Sequence, residues 1–235
     1  MLDPQLLSEL LPACMGMIRF FKQFKQILLT PACLLVAVTA ISQVKPATTP
    51  AKLTANHASK QLTDFKHLTA DASVVFTFPT GFKEIPALNN EDFSYDYALR
   101  LPERDFEIWF RVRSQKRDWQ AYEASKNDPT RQTANPDSAY IALGQAQARM
   151  LTGDPNSEMR AIPPDVLARY NASAGKVYLL SLQDLAATNH YKYAMLITLE
   201  KDHTGTILAI CFGNEKGPEF FKNINLASKC LKFKP

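Results

Sequence analysis

Between residues 68 and 235 the side chains able to do chemistry are few: Cys211 and Cys230, His190 and His203, and carboxylates on or near predicted strands, Asp96, Glu107, Glu200 and Asp202. No G-x-S-x-G, H-E-x-x-H or C-x-x-C occurs, and eight glycines in 235 residues leave no phosphate-cradling loop. His190 and His203 bracket a predicted strand, which at about 3.3 Å per residue sets them roughly 40 Å apart, too far to share a metal. Neither a metal nor a cofactor is expected. His203 beside Asp202 reads as turn chemistry rather than a catalytic dyad. Paired carboxylates are the reagents of glycoside hydrolysis, so a small hydrolase using acids not yet placed is the enzymatic alternative. Asp96 and Glu107, however, have arginine partners in the strand register below, which suit neither to donate a proton.

Trp109, between Arg111 and Glu107 on the polar side of the hairpin with Arg113 further along, is the binding alternative. An exposed indole beside guanidinium groups would make a contact patch for an anionic or aromatic partner. The competing reading has a helix from 116–170 covering Trp109, with ordinary ion pairs left at the rim. Cys211 and Cys230 are expected as two buried thiols rather than a disulfide, because Cys230 lies twelve residues into a predicted helix, about 18 Å along its axis, whereas a bond needs Cα atoms within about 7 Å.

The elements that must position these groups begin with a hairpin. Phe93, Tyr95, Tyr97 and Leu99 alternate with polar neighbours, as do Ile108, Phe110 and Val112. Turning through Pro102-Glu103-Arg104-Asp105 sets Leu101 against Phe106, Leu99 against Ile108, Tyr97 against Phe110 and Tyr95 against Val112. The same register sets Arg100 against Glu107 and Asp96 against Arg111, pairs that a slip of one residue would destroy.

Ahead of this hairpin, Val74–Phe78 and Phe82–Ile85 read as two short strands around Pro79-Thr80-Gly81. Helices follow in an insertion at 116–170: one capped by Asp118, one capped by Asp137 through Leu151, and one from Pro163-Pro164 to Tyr170. Strands at 176–183, 191–200 and 206–212 come next, the last two dry on both faces and so central in a sheet. A helix beginning at Pro218 closes the chain with the stripe Phe220, Ile224, Ala227 and Leu231. An α+β fold follows, an antiparallel sheet covered by helices on both faces.

The N-terminus speaks to location. Arg19, Lys22 and Lys25 precede fifteen uncharged residues, Ile27 to Ile41, then small residues and a polar exit. That is an export signal over 17–43. As a helix the apolar run spans about 22 Å, short of the roughly 20 residues a bilayer needs, so cleavage before Ile41 or Gln43 is expected, with a membrane anchor through 27–41 as the alternative. Residues 1–16 carry acids where signals carry bases, which marks Met17 as the natural start. Residues 44–67 read as a flexible spacer rich in Ala, Thr, Lys and Pro, and 68–235 as one domain.

Lys and Arg exceed Asp and Glu by four over the whole chain, and by three once Arg19, Lys22, Lys25, Asp3 and Glu9 are set aside. Near balance without a basic run among aromatics excludes nucleic acid as a partner. After processing no stable membrane span is expected.

The stretch Phe76-Thr77-Phe78-Pro79-Thr80-Gly81-Phe82 and the tail Ser228-Lys229-Cys230-Leu231-Lys232-Phe233 resemble the opening and closing motifs of the PsbP-like and DcrB-like sandwich proteins, over roughly residues 72–233. The resemblance implies accessory or binding work in an exported or membrane-associated setting, usually without catalysis. It assigns no residue a role. The expected function is therefore an exported, non-catalytic module that binds a protein or another envelope component.

Overall fold

The computed structural model describes residues 59–90, 93–126 and 133–235. The leader, the signal at 17–43 and residues 44–58 of the spacer lie outside the described residues. The remainder of the spacer is not loose chain. Helix α1 (Lys60–Asp71) starts there, capped by the Ser59 hydroxyl, which accepts from Leu62 N at 3.0 Å. Its Phe65 is fully buried and stacks on Tyr97 with ring centroids 4.7 Å apart. The interval Leu62, Phe65, Thr69, Ala72 is an apolar helical stripe, hidden in sequence because Ala, Thr and Lys dominate its surroundings.

The main sheet has seven antiparallel strands in the order β2-β3-β4-β8-β7-β6-β5: β2 (Lys83–Ile85), β3 (Tyr97–Leu101), β4 (Phe106–Ser114), β5 (Met159–Ala161), β6 (Ala174–Ser181), β7 (Tyr193–Lys201) and β8 (Gly205–Gly213). A separate pair joins β1 (Val74–Phe76) to β9 (Leu231–Phe233). The two short strands expected to flank one turn thus enter different sheets, because β1 finds its partner at the C-terminus and β2 pairs with β3.

In the β3–β4 hairpin Tyr97, Leu99, Arg100 and Leu101 face Phe110, Ile108, Glu107 and Phe106, the predicted register. Beyond Tyr97 the pairing departs from it. The Asp96 carboxylate accepts from Val112 N at 2.7 Å and pairs with Arg113 at 3.2 Å, not with Arg111. Taking that backbone donor with a side chain ends the ladder and turns Tyr95 to the opposite face, where it packs on Trp109 at 4.9 Å.

Helices cover both faces, which gives the α+β architecture two apolar cores. On one side α1, α4 (Pro164–Arg169) and α5 (Pro218–Ala227) pack over Phe106, Ile108, Phe110, Val112, Leu199 and Ile207. On the other α3 (Ala139–Thr152) lies against Tyr178, Leu180, Leu196 and Ile210. Gly144 lets it approach closely, since a Cβ there would sit 2.8 Å from Tyr178 Oη and 3.1 Å from Thr198 Cγ2. Helix α2 (Lys116–Ser125) buries no residue; it starts two residues before Asp118, so that carboxylate is a first-turn residue and not the cap. In β7–β8 Leu199 pairs with Ile207 and Ile197 with Ala209, and these two strands are central in the sheet as expected. Leu231 belongs to β9 rather than to the last helix. Cys211 and Cys230 are both buried and form no disulfide, and burial pushes the Cys230 thiol up to about 12. No helix among the described residues is long and apolar enough to cross a membrane.

Candidate functional site

Where the β7–β8 turn meets the start of α2, five polar side chains converge. Glu200 and Thr206 are cross-strand partners at the end of that hairpin. Glu200 is 0% exposed, because the face of β7 that carries it also carries Leu196 and Thr198 into the second core. Its Oε2 accepts from Thr206 Oγ1 at 2.9 Å and from Gln115 Nε2 at 3.2 Å. Gln115, just past β4, is held there by its own backbone N–H to Thr204 O at 3.0 Å and by its amide to Pro136 O at 2.8 Å.

Asp137, expected as a helix cap, reaches across instead. Its Oδ1 accepts from Trp119 Nε1 at 2.7 Å and from His203 N at 2.9 Å. Asn135 caps the short 3-10 turn Pro136–Ser138 in its place. Asp202, exposed in the hairpin turn, completes the group: one carboxylate oxygen each from Asp137, Glu200 and Asp202 lie within 4.8 Å of one another.

The electrostatics are lopsided. Burial first, then the facing Asp137, pushes the Glu200 carboxyl up to about 8 against the opposing pull of the Thr206 and Gln115 donors. Burial and the nearby Glu200 and Asp202 likewise raise the Tyr140 phenol. Among the described residues neither Glu200 nor Asp202 has a lysine or arginine at ion-pair distance, and Lys201 is drawn off to Lys234 O. Glu200 Oε1 and Gln115 Oε1 are buried acceptors without a donor. His203 forms no dyad with Asp202. Its backbone takes φ 58° in the turn, its ring lies 3.9 Å from that of Trp119, and its Nε2 is 3.6 Å from Asp137 Oδ2.

The predicted contact patch is not on the surface. Trp109 is 3% exposed, packed between Tyr95 and Phe212 at 4.9 and 4.5 Å, with Nε1 donating to Glu107 Oε2 at 3.1 Å. It is Tyr95, carried over by the Asp96 turn, that closes on the indole. Glu107 is itself fully buried and also accepts from Arg100 Nε at 2.8 Å and Asn189 Nδ2 at 3.1 Å. Arg111 is half-buried, and burial, then Arg113, lowers its pKa. Arg113 instead lines a cleft of about 450 Å³ between α1 and α2, with Leu68, Asp71, Val112, Lys116 and Arg117.

A different surface is open. On the face of the sheet that carries Leu199 and Ile207, the helices leave the outer part of β6 and β7 incompletely covered. Leu179 is 47% exposed there, opposite the half-buried Met195, and the next cross-strand row is Val177, Ile197 and Ala209, all half-buried. At its edge Lys216 Nζ sits 4.6 Å over the Tyr193 ring and donates to Ser181 Oγ at 3.1 Å.

Sequence reasoning weighed Glu200 and Asp202 among carboxylates for a hydrolase, and Asp202 beside His203, but joined neither to Asp137 or Gln115. The signal for a site was a glutamate and two threonines, Thr198 and Thr206, on strands otherwise dry on both faces. Set against protein-family models, curated proteins and solved structures, the chain finds no match in any of the three.

Proposed function

We propose that this chain is an exported, non-catalytic module that binds an envelope protein through the open apolar stretch of its sheet. The observation that carries the reading is the contiguous row of Leu179, Met195, Val177, Ile197 and Ala209, left partly bare on a sheet whose other faces are packed. Flat apolar areas rimmed by polar groups are where proteins associate, and Lys216 at the rim suits a partner whose apolar stripe ends in a carboxylate. The resemblance to the PsbP-like and DcrB-like sandwiches points the same way. The hydrolase alternative gains a desolvated acid in Glu200, but a side chain with no exposed surface is out of a substrate's reach, and Glu200 does not line the cleft.

Leu179→Glu tests the docking face. Being exposed, the substitution changes stability by less than about 1 kcal/mol, while cross-linked capture from the native compartment loses at least about tenfold of whatever the wild type retains. Identical capture by both proteins defeats the reading. Export is tested separately: the protein recovered outside the cytoplasm has an N-terminal sequence beginning at Ile41 or Gln43, whereas an anchored protein keeps residues 27–41.

A further inference from the structure

We propose that Asp137, Glu200 and Asp202 bind one hard divalent cation of the calcium, magnesium or manganese class. Three carboxylates gathered within 4.8 Å are a spread that one ion with bonds of about 2.3–2.6 Å bridges. Acidic clusters are common on surfaces, and this one differs by what is buried in it. Glu200 is 0% exposed, and its Oε1 is a buried acceptor that no donor meets. A buried acceptor without a partner is costly, and the Asp137 carboxylate facing Glu200 brings only more acceptors. A proton on Glu200 satisfies the pair, and a divalent cation that displaces that proton does the same.

The donor set is all oxygen, which suits hard ions rather than zinc or copper. Second neighbours are already in place: Trp119 Nε1 and His203 N both hold Asp137 Oδ1, fixing the orientation of that carboxylate. An ion here would tie together two stretches distant in sequence, the turn before α3 and the β7–β8 hairpin. It would fasten the weakly packed α2, whose own residues are all outside the core. The site stands apart from the docking face on β6 and β7 and does not depend on it.

The test uses the folded chain freed of metal with a chelator and then titrated with Ca²⁺, Mg²⁺ or Mn²⁺ by calorimetry, with Zn²⁺ as the control. Tryptophan emission is a second readout, because Trp119 touches the ligand shell. One ion per chain is expected, with a dissociation constant of about 1 mM or tighter. Asp202→Asn, exposed and outside the core, weakens binding at least about tenfold and leaves the unfolding midpoint in chelator unchanged, and Glu200→Gln, which keeps the buried volume, abolishes saturable binding. No saturable binding up to about 10 mM by the folded wild type, or equal binding by both variants, overturns the proposal; in the first case a proton shared between Asp137 and Glu200 is what the node holds.

Discussion

Trp109→Ala lowers the stability of the folded chain by about 4 to 5 kcal/mol. Emptying a fully packed aromatic site costs about 3–5 kcal/mol, and the indole here touches Tyr95 and Phe212 on either side. Loss of the Nε1 donor adds to this, though less than it would elsewhere, because Glu107 Oε2 keeps Asn189 Nδ2 at 3.2 Å. A domain holds only about 5–15 kcal/mol in total, so the variant is close to unfolding. Trp109→Phe separates the two contributions: it keeps most of the ring volume and gives up the hydrogen bond, for about 1–2 kcal/mol. Urea unfolding with an unchanged dependence on denaturant measures both. An indole on the surface would cost within about 0.5 kcal/mol, so a loss below 1 kcal/mol for the alanine variant would return Trp109 to the exterior and reopen it as a contact residue.

The same residue shows where the sequence was legible and where it was not. Alternation placed Trp109, Arg111 and Arg113 on one side of β4 and Ile108, Phe110 and Val112 on the other, and both sets are where period-two geometry puts them. Alternation cannot say that the second side is covered too. The cover over Trp109 is Tyr95, and Tyr95 arrives because the Asp96 side chain captures Val112 N, a local competition between side chain and ladder that no apolar count reveals. Arg100 and Glu107 were paired correctly from register, yet Glu107 also accepts from Asn189, a residue 82 positions away. The node at Glu200 was hidden for the same reason. Asp137 was assigned to a helix start on its type, whereas the tertiary fold brings it beside Trp119 and the β7–β8 turn, and such long-range meetings leave no mark on spacing.

Glu200 gives the second large effect. In the unfolded chain its carboxyl ionises near the ordinary value of 4.5, while in the folded chain it holds a proton up to about pH 8. Between those values the folded state binds more protons than the unfolded one, so stability must fall as pH rises. Its contribution is complete below pH 4.5 and gone above 8, with a slope approaching about 1.4 kcal/mol per pH unit in between. Asp137, Asp202, Tyr140 and His203 face the same node. Glu200→Gln imitates the protonated acid at every pH. In chelator, where no ion competes for the carboxylate, it matches the wild type near pH 5, removes most of the slope, and is the more stable protein at pH 8.5. Chemical unfolding at half-unit steps from pH 5 to 8.5 measures it. Should wild-type stability climb over that range, with the glutamine variant running parallel, Glu200 is ionised in the fold, and the donors from Thr206 and Gln115 outweigh its burial.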